Sequence, residues 1–212
     1  RSSPFVTADP EAWRKAGRPD VHRDLMDHGD QVLNELLGMA PDRTVAVLRS
    51  TAVPATLDLL GRLGVISHVV SAERLDPRPI TASYGSTYPA RLLNSSGVAQ
   101  PALVADPDLA RHLVNPRGSV SAAQHLVADL ALLAWSDPTV TRTAIVTMPE
   151  ALVVNALTLD LVLGAVEDAP FLQLRSLPEL FEASLATDAA AAVTYELWPE
   201  PVTPVSRRAT ER

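Results

Sequence analysis

The sequence predicts an α/β fold in which parallel strands alternate with helices. Short, nearly continuous apolar runs such as TVAVL at 44–48 are typical of strands that are buried on both faces. Segments with helical spacing of apolar residues follow these runs, and strand and helix alternate at least four times. Because parallel neighbours need a crossover connection, this order favours a sheet with helical crossovers. It is compatible with an open doubly wound sheet or with a (β/α) barrel, complete or partial.

Of these two architectures, we favour the (β/α)-barrel-like one. Nucleotide-binding open sheets carry a glycine-rich turn after a strand, and no predicted strand is followed by one. The same absence excludes a P-loop. We expect residues 1–190 to form a single α/β domain of a longer protein, because the chain opens without a Met, and residues 191–212 to be a C-terminal extension or linker.

Apolar spacing and capping residues place the individual elements along the chain. Up to residue 70 they predict a short strand at 4–6, a brief helix after Asp9-Pro10, a helix from Asp20 to Gly38, a strand at 44–48, a helix from Pro54 to Gly64 and a strand at 65–70. Further on they predict a long loop over 74–100 with one short strand at most, strands at 102–105, 142–147 and 171–174, and helices over 106–113, 121–135, 153–167 and 177–186. We expect four strand residues in the core: Val47, Val69, Leu103 and Ile145.

Composition excludes several classes of function. The net charge is -7, whereas a nucleic-acid-binding protein needs a basic face for phosphates. The chain has no cysteine, which excludes disulfides, thiolate catalysis and Cys-ligated metals. No uninterrupted apolar segment reaches the roughly 18 residues that span a bilayer. A small-molecule, glycan or protein partner is compatible with this composition, and nucleic acid is not.

Several phrases occur in a characteristic order: PFVTADPEAW, DLLGRLGVISHVVSAERLDP, PALVADPDLARHLV, SVSAAQHLVADLALLAWSDPTVTRTAIVTMPE and LVLGAVEDAPFLQLRSLPELFEA. With them, residues 1–190 resemble a family of uncharacterised actinobacterial cell-envelope proteins. These are exported polypeptides with a polysaccharide-deacetylase-like or glycosidase-like barrel, further β domains and a C-terminal membrane anchor. The resemblance implies an extracytoplasmic location in the cell envelope and a glycan or cell-wall component as partner. It also implies that the parent chain is membrane-anchored, which is compatible with a membrane-protein partner.

The histidines argue against a catalytic metal in this segment. Deacetylases of that barrel type hold a divalent metal with an Asp and two His spaced about four residues apart. The chain has five histidines and no HxxxH: His22, His28, His68, His112 and His125. We expect His22 and His28 in solvent and His68 as a hydrogen-bonded imidazole inside a strand. The sequence predicts neither a metal nor another cofactor.

Charged residues follow several of the predicted strands, and we select four of these residues. They are Arg49, Glu73, Asp106 and Glu150. Because the carboxyl ends of parallel strands share one edge of a sheet, these four are the candidate ligand-binding residues. Each also has a structural alternative: an acid at a helix start, such as Asp106 or Glu150, stabilises the helix dipole, and Arg49 is also compatible with a plain surface charge.

Three hypotheses on function follow from these observations. The first is an extracytoplasmic cell-envelope module that binds or scaffolds glycans without a catalytic metal. The second is a carbohydrate-active enzyme, a glycoside hydrolase or polysaccharide deacetylase, that uses strand-end carboxylates. The third is a structural module whose groove holds no ligand. We favour the first, because none of the strand-end acids Glu73, Asp106 and Glu150 is flanked by aromatic residues that would line a sugar subsite.

Overall fold

The computed structural model describes residue 4 and residues 8–76, 88–114, 118–136, 138–139, 143–147, 156–188 and 193–198. The helices in this part of the chain are α1 (Pro10–Lys15), α2 (Pro19–Leu37), α3 (Pro54–Arg62), α4 (Pro107–Arg111), α5 (Ser119–Ser136), α6 (Ala156–Asp168) and α7 (Leu177–Asp188). The strands are β1 (Val45–Val47), β2 (Ser67–Ser71), β3 (Leu75–Asp76), β4 (Tyr88–Leu93), β5 (Ala99–Ala105) and β6 (Val193–Leu197). Short 3₁₀ turns follow β2 at Ala72–Arg74 and α4 at His112–Val114.

The described strands form one open, mixed sheet in the order β1-β2-β5-β4-β6-β3. β1 is parallel to β2, and β4 is parallel to β6. β4 and β5 are sheet neighbours joined by residues 94–98, a connection too short for a parallel crossover, so this pair is an antiparallel hairpin. The prediction of an α/β fold is confirmed. The prediction of a barrel is wrong for the described strands, because β1 and β3 are edges and a barrel leaves none.

Close contacts divide the chain into two compact units. Unit 1 comprises Arg1–Val69, Ala90–Ala102 and Val193–Arg212, and it holds α1, α2, α3, β1 and β6. Unit 2 comprises Val70–Pro89 and Leu103–Ala192, and it holds α4 to α7 and β3. β6 is a strand within the segment for which the sequence predicts an extension or linker, and the division of the chain at residue 190 stays a prediction.

The helix ends of unit 1 follow the capping residues of the sequence. Asp9 caps α1 by accepting a hydrogen bond from the Glu11 amide at 2.9 Å, and Pro10 takes the first helical position. Gly38 ends α2 with φ 68°, a left-handed conformation that a residue with a Cβ disfavours. Pro54 opens α3. These three predicted helices are confirmed.

A cluster of leucines builds the core of unit 2. Leu109, Leu126 and Leu130 are buried, and Leu113, Ala144, Val146, Val162 and Leu172 pack against them. Of the four residues predicted in the core, Val69, Leu103 and Ile145 are buried, as expected. Val47 is only half-buried, because β1 is a three-residue strand at the edge of the sheet.

Three predicted strand or loop segments differ from the structure. The stretch 74–100 contains β3, β4 and the start of β5, so its assignment as a loop is wrong. Residues 143–147 form no strand apart from a single β-bridge at Thr143, and residues 171–174 form none. In both of these segments apolar side chains, Ala144, Val146 and Leu172, are partly buried against the leucine cluster of unit 2, so their apolar character needs no strand ladder. The short strand predicted at 4–6 lies mostly outside the described residues.

Candidate functional site

A polar cleft of about 480 Å³ lies in unit 1, between α3 and the β4–β5 hairpin. This volume is within the range of small-ligand sites. The described residues that line it carry amide, hydroxyl, carboxylate and guanidinium groups, apart from one glycine: Asp58, Gly61, Arg62, Asn94, Ser95, Ser96 and Gln100. The lining is therefore suited to a ligand rich in hydrogen-bonding groups.

The α3 wall is the outer face of an amphipathic helix. Thr56, Leu57, Leu59 and Leu60 are buried on its inner face. Asp58, Gly61 and Arg62 are spaced three and four residues apart, which places them on one face, the one that lines the cleft. Helical periodicity thus separates the core side of α3 from its ligand side.

The hairpin wall is fixed by hydrogen bonds around Asn94. Its Oδ1 accepts from the amides of Ser96 at 3.0 Å and Val98 at 2.8 Å. Its own amide donates to the Val98 carbonyl at 3.0 Å, and Gly97 takes φ 76°, which closes the turn. The Ser95 hydroxyl donates to Asp58 Oδ2, which ties the hairpin to α3.

Gln100 connects the cleft to a buried imidazole. His68 on β2 is 0% exposed, and its Nε2 lies 2.6 Å from Gln100 Oε1. Burial lowers the pKa of His68 more than the hydrogen bond to Gln100 raises it, so the ring is neutral at pH 7. A carboxamide oxygen only accepts, so Nε2 carries the proton and donates. The prediction of a hydrogen-bonded core histidine in this strand is confirmed.

The other end of the Gln100 amide faces α3. A Cβ placed at Gly61 would lie 3.8 Å from Gln100 Nε2, so the amide nitrogen is on the side of the cleft-lining glycine. The absence of a side chain at Gly61 leaves this nitrogen room for a ligand. The cleft therefore has a donor at its Gln100 wall, held in place from behind by His68.

The chemistry of the lining favours binding over acid–base catalysis. Asp58 is the single carboxylate among the described residues that line the cleft, and one of its oxygens accepts from Ser95. A glycosidase needs two carboxyl groups on opposite sides of a sugar. Within the described part of the chain, no group of three or more His, Asp or Glu side chains is arranged to hold a metal ion.

The residues predicted from strand ends lie in different settings. Arg49 is half-buried, two residues after the end of β1 in unit 1. In unit 2, Glu73 is exposed in the 3₁₀ turn after β2 and lies 3.4 Å from Arg111. Asp106 is buried and caps α4, accepting from the Asp108 amide at 2.7 Å. Glu150 lies outside the described residues, and the four-residue site stays a prediction.

Arg111 gathers two acids of unit 2. Its guanidinium pairs with Glu73 and with Asp108, which is three residues earlier on α4. Asp106 has the role of its structural alternative: its side chain caps the N-terminus of α4. These acids are thus engaged by the fold itself.

The histidines outside the cleft occupy three environments. His22 is buried on α2, so its assignment to solvent is wrong; its spacing of four from Met26 and seven from Gly29 places it on the inner face of the helix. His28 is exposed, as predicted. In unit 2, His112 Nε2 lies 2.6 Å from Asp129, and the His112 ring stacks on His125 with centroids 6.0 Å apart.

The sequence analysis missed the cleft residues because it assigned 74–100 to a loop. A signal for the hairpin is present: Asn94-Ser95-Ser96-Gly97 is a turn sequence between two apolar runs, ARLL and ALVA. No comparable signal marks Asp58 or Arg62, which are ordinary polar residues on a helix until the hairpin lies beside them.

Comparison with known proteins adds no relative. No protein-family model matches the chain, and no curated protein matches it. No helix in the described part of the chain combines the length and apolar character needed to cross a membrane.

Proposed function

We propose that the protein is a non-catalytic glycan-binding module of the cell envelope, and that unit 1 holds the glycan in the cleft between α3 and the β4–β5 hairpin. The observation that carries the proposal is the lining of that cleft. Its amide, hydroxyl and guanidinium groups match the hydroxyl and carbonyl groups of sugars, and internal hydrogen bonds hold Asn94 and Gln100 in place before a ligand arrives. Preorganised polar groups lower the cost of binding.

Binding without hydrolysis or deacetylation is the better-supported activity. The cleft offers one carboxylate, Asp58, where hydrolysis of a glycoside uses two. The strand-end acids Glu73 and Asp106 are engaged with Arg111 and with the α4 N-terminus. The cap supports a role for Asp106 in the fold, whereas the Glu73–Arg111 pair is exposed and contributes little to stability.

The extracytoplasmic location and the cell-wall partner are part of this proposal. They rest on the resemblance of residues 1–190 to actinobacterial cell-envelope proteins. Membrane anchoring, and any membrane-protein partner, would come through the parent chain. Protease treatment of intact cells that express the tagged parent protein tests the location, with cleavage of this segment expected. Protection in intact cells together with cleavage in lysed cells would place the segment inside and overturn this part.

The binding experiment uses the purified chain and insoluble cell-wall glycan. We expect the wild-type chain to sediment with the glycan, and we expect Gln100→Ala and Arg62→Ala each to weaken the interaction about tenfold, which corresponds to about 1.4 kcal/mol. Matched controls are Gln31→Ala, which removes an exposed glutamine bonded to Glu35 at 2.9 Å on its own helix, and Arg23→Ala on the exposed face of α2.

Two results would overturn the proposal. One is sedimentation that the cleft variants leave unchanged, or that the control variants reduce equally. The other is release of sugar or acetate by the purified chain that stops when Glu73 or Asp106 is replaced. The second result would favour a carbohydrate-active enzyme.

A further inference from the structure

The fold uses up acceptor atoms of the cleft and leaves donors towards the ligand. Gln100 Oε1 is taken by His68, and Asn94 Oδ1 is taken by two backbone amides. Both lone pairs of the Asn94 oxygen are used, and the Gln100 oxygen is directed at the buried His68, so these two side chains present their NH₂ donors to a ligand. Arg62, on the facing helix, has donors only.

We propose that the cleft selects glycans that carry a carboxylate, of the uronic-acid class, over neutral ones, and that His68 is the positioning residue for this preference. This inference rests on the proposed function and names its ligand class. A carboxylate is an acceptor-only group, and a guanidinium binds it through two parallel hydrogen bonds. Arg62 supplies that guanidinium, and the Gln100 and Asn94 amides supply neutral donors.

Asp58 is the one charged lining group that opposes an anion, and one contact reduces its effect. Its Oδ2 accepts from the Ser95 hydroxyl, so part of its hydrogen-bonding capacity is used by the hairpin. Arg62 lies four residues later on the same face of α3, so the cleft lining holds one negative and one positive side chain. Their charges sum to zero, so the excess of donors decides the preference.

His68 sets the preference through the orientation of Gln100. Turning a carboxamide by 180° exchanges oxygen and nitrogen with almost no change in shape, so packing alone does not choose between the two orientations. The neutral His68 ring donates from Nε2, which favours the orientation with Oε1 towards His68 and NH₂ towards the cleft. Without that donor, the amide would also present its oxygen to the ligand and repel a carboxylate.

The test compares two probes with the same sugar backbone, one with free carboxylates and one without: trigalacturonate and its fully methyl-esterified form. Isothermal titration at pH 7 should give at least tenfold tighter binding of the acid than of the ester. Arg62→Ala and Gln100→Glu should each bring this ratio to about one. His68→Phe, which keeps a buried ring but removes the donor, should lower the ratio severalfold while ester binding is retained. His22→Phe, which replaces a histidine buried on α2, should leave the ratio unchanged.

A measurement on the wild-type chain covers the case in which His68→Phe does not fold. The ¹⁵N resonances of the His68 ring should report a proton on Nε2 and none on Nδ1 at pH 7. A proton on Nδ1 would overturn the positioning role.

The outcomes separate this inference from the proposed function. If acid and ester bind equally, and cleft variants weaken both, the preference for carboxylates is wrong and the glycan-binding function stands. If the ester binds tighter, or if neither probe binds, the inference is wrong, and sedimentation with cell-wall glycan then decides the proposed function by itself.

Discussion

The strand-end acids of unit 2 and the cleft residues of unit 1 use their hydrogen bonds in opposite ways. Glu73 and Asp108 both form exposed pairs with Arg111, and Asp106 caps α4, so each acid has a partner within its own unit. In the cleft, internal hydrogen bonds reach only one end of the Gln100 and Asn94 amides. The position of a polar residue at a strand end therefore does not by itself make it a ligand-binding residue. What matters is which of its hydrogen-bonding atoms already have a partner within the protein.

The largest expected loss of stability concerns Glu11, a buried acid whose two carboxylate oxygens are both hydrogen-bonded within the protein. Glu11 is 0% exposed, accepts two hydrogen bonds from Arg14 at 2.7 Å and one from Thr56 Oγ1 at 2.9 Å, and so connects α1 to α3. Arg14→Ala would leave the carboxylate with Thr56 and the more distant Lys15. We expect a loss of about 3 kcal/mol in the free energy of unfolding, the lower end for a broken buried pair, because the Arg14 side chain is 35% exposed.

Arg18→Ala is the matched control for this prediction. Arg18 precedes α2 and likewise pairs with a nearby acid, Asp20, but both side chains are exposed. We expect little change in the urea midpoint for this variant. Equal losses for Arg14→Ala and Arg18→Ala would contradict the distinction between acids that the fold has enclosed and acids that solvent already satisfies.

The second prediction concerns the loss of stability at low pH that the two buried histidines of unit 1, His22 and His68, should cause. Burial lowers the pKa of His68, against a smaller rise from Gln100, and it lowers the pKa of His22, against a smaller rise from Asp9. Below pH 6.5 the unfolded chain takes up these protons before the folded protein does. Stability is therefore complete above about pH 6.5 and falls as the pH decreases, by up to about 1.4 kcal/mol per pH unit for each histidine.

Urea unfolding at pH 7.5, 6.5 and 5.5 measures this slope. His22→Phe and His68→Phe should each remove one histidine's share of it. Glu11 acts in a separate range: burial raises its pKa, but the hydrogen bonds from Arg14 and Thr56 and the charges of Arg14 and Lys15 outweigh this, so the pKa lies below 4.5. Its contribution is present above about pH 4.5 and is lost at lower pH as the pH falls through the pKa of the folded state. A stability that does not change between pH 7.5 and 5.5 would contradict the assignment of His68 as a neutral donor.

The third prediction addresses the strand-end acids themselves. Asp106→Ala should lower the free energy of unfolding by about 1 kcal/mol, the usual loss when a helix N-cap is removed. Glu73→Ala should change stability by less than about 0.5 kcal/mol, because its pair with Arg111 is exposed. Neither variant should alter sedimentation with cell-wall glycan. If either variant lost glycan binding while circular dichroism showed an intact fold, the strand-end residues and not the cleft would be the binding site.

The sequence predicts those parts of the fold that local chemistry determines. Prolines at first helical positions and Gly38 at a helix end mark helices that the structure contains. β4 was missed, and β5 was predicted short, because Pro89 and Pro101 lie within them and proline is unfavourable in a strand ladder. The strand predicted at 142–147 failed for the opposite reason, since an apolar run is equally compatible with packing against a helix.

The cleft depends on contacts that no local pattern contains. Asp58 and Ser95 are far apart in sequence, as are His68 and Gln100, and each pair is joined only by the fold. Charge and strand-end position single out Glu73 and Asp106, whereas an amide such as Gln100 carries no charge to single it out. Sequence reasoning therefore selected acids that have partners within the protein, and it missed amide donors such as Gln100 that face the cleft.

The smallest expected effect is also the most direct test of the Gln100 wall. Gly61 lies in the last turn of α3, and a Cβ there would meet Gln100 Nε2 at 3.8 Å, an ordinary van der Waals distance. Gly61→Ala should therefore raise the free energy of unfolding by about 0.5 kcal/mol through helix propensity, less than in a helix interior. The same methyl group would cover the donor that a ligand needs, so glycan binding should weaken while stability rises.

Gly164→Ala is the matched control, because it lies within α6 and a Cβ there meets nothing within 4 Å. We expect this variant to stabilise the protein with no change in glycan binding. Calorimetric unfolding and sedimentation with cell-wall glycan measure the two quantities on the same preparations. If Gly61→Ala binds as tightly as Gly164→Ala does, the Gln100 amide contacts no ligand, and the contrast between donors presented to a ligand and acids engaged by the fold loses its main support.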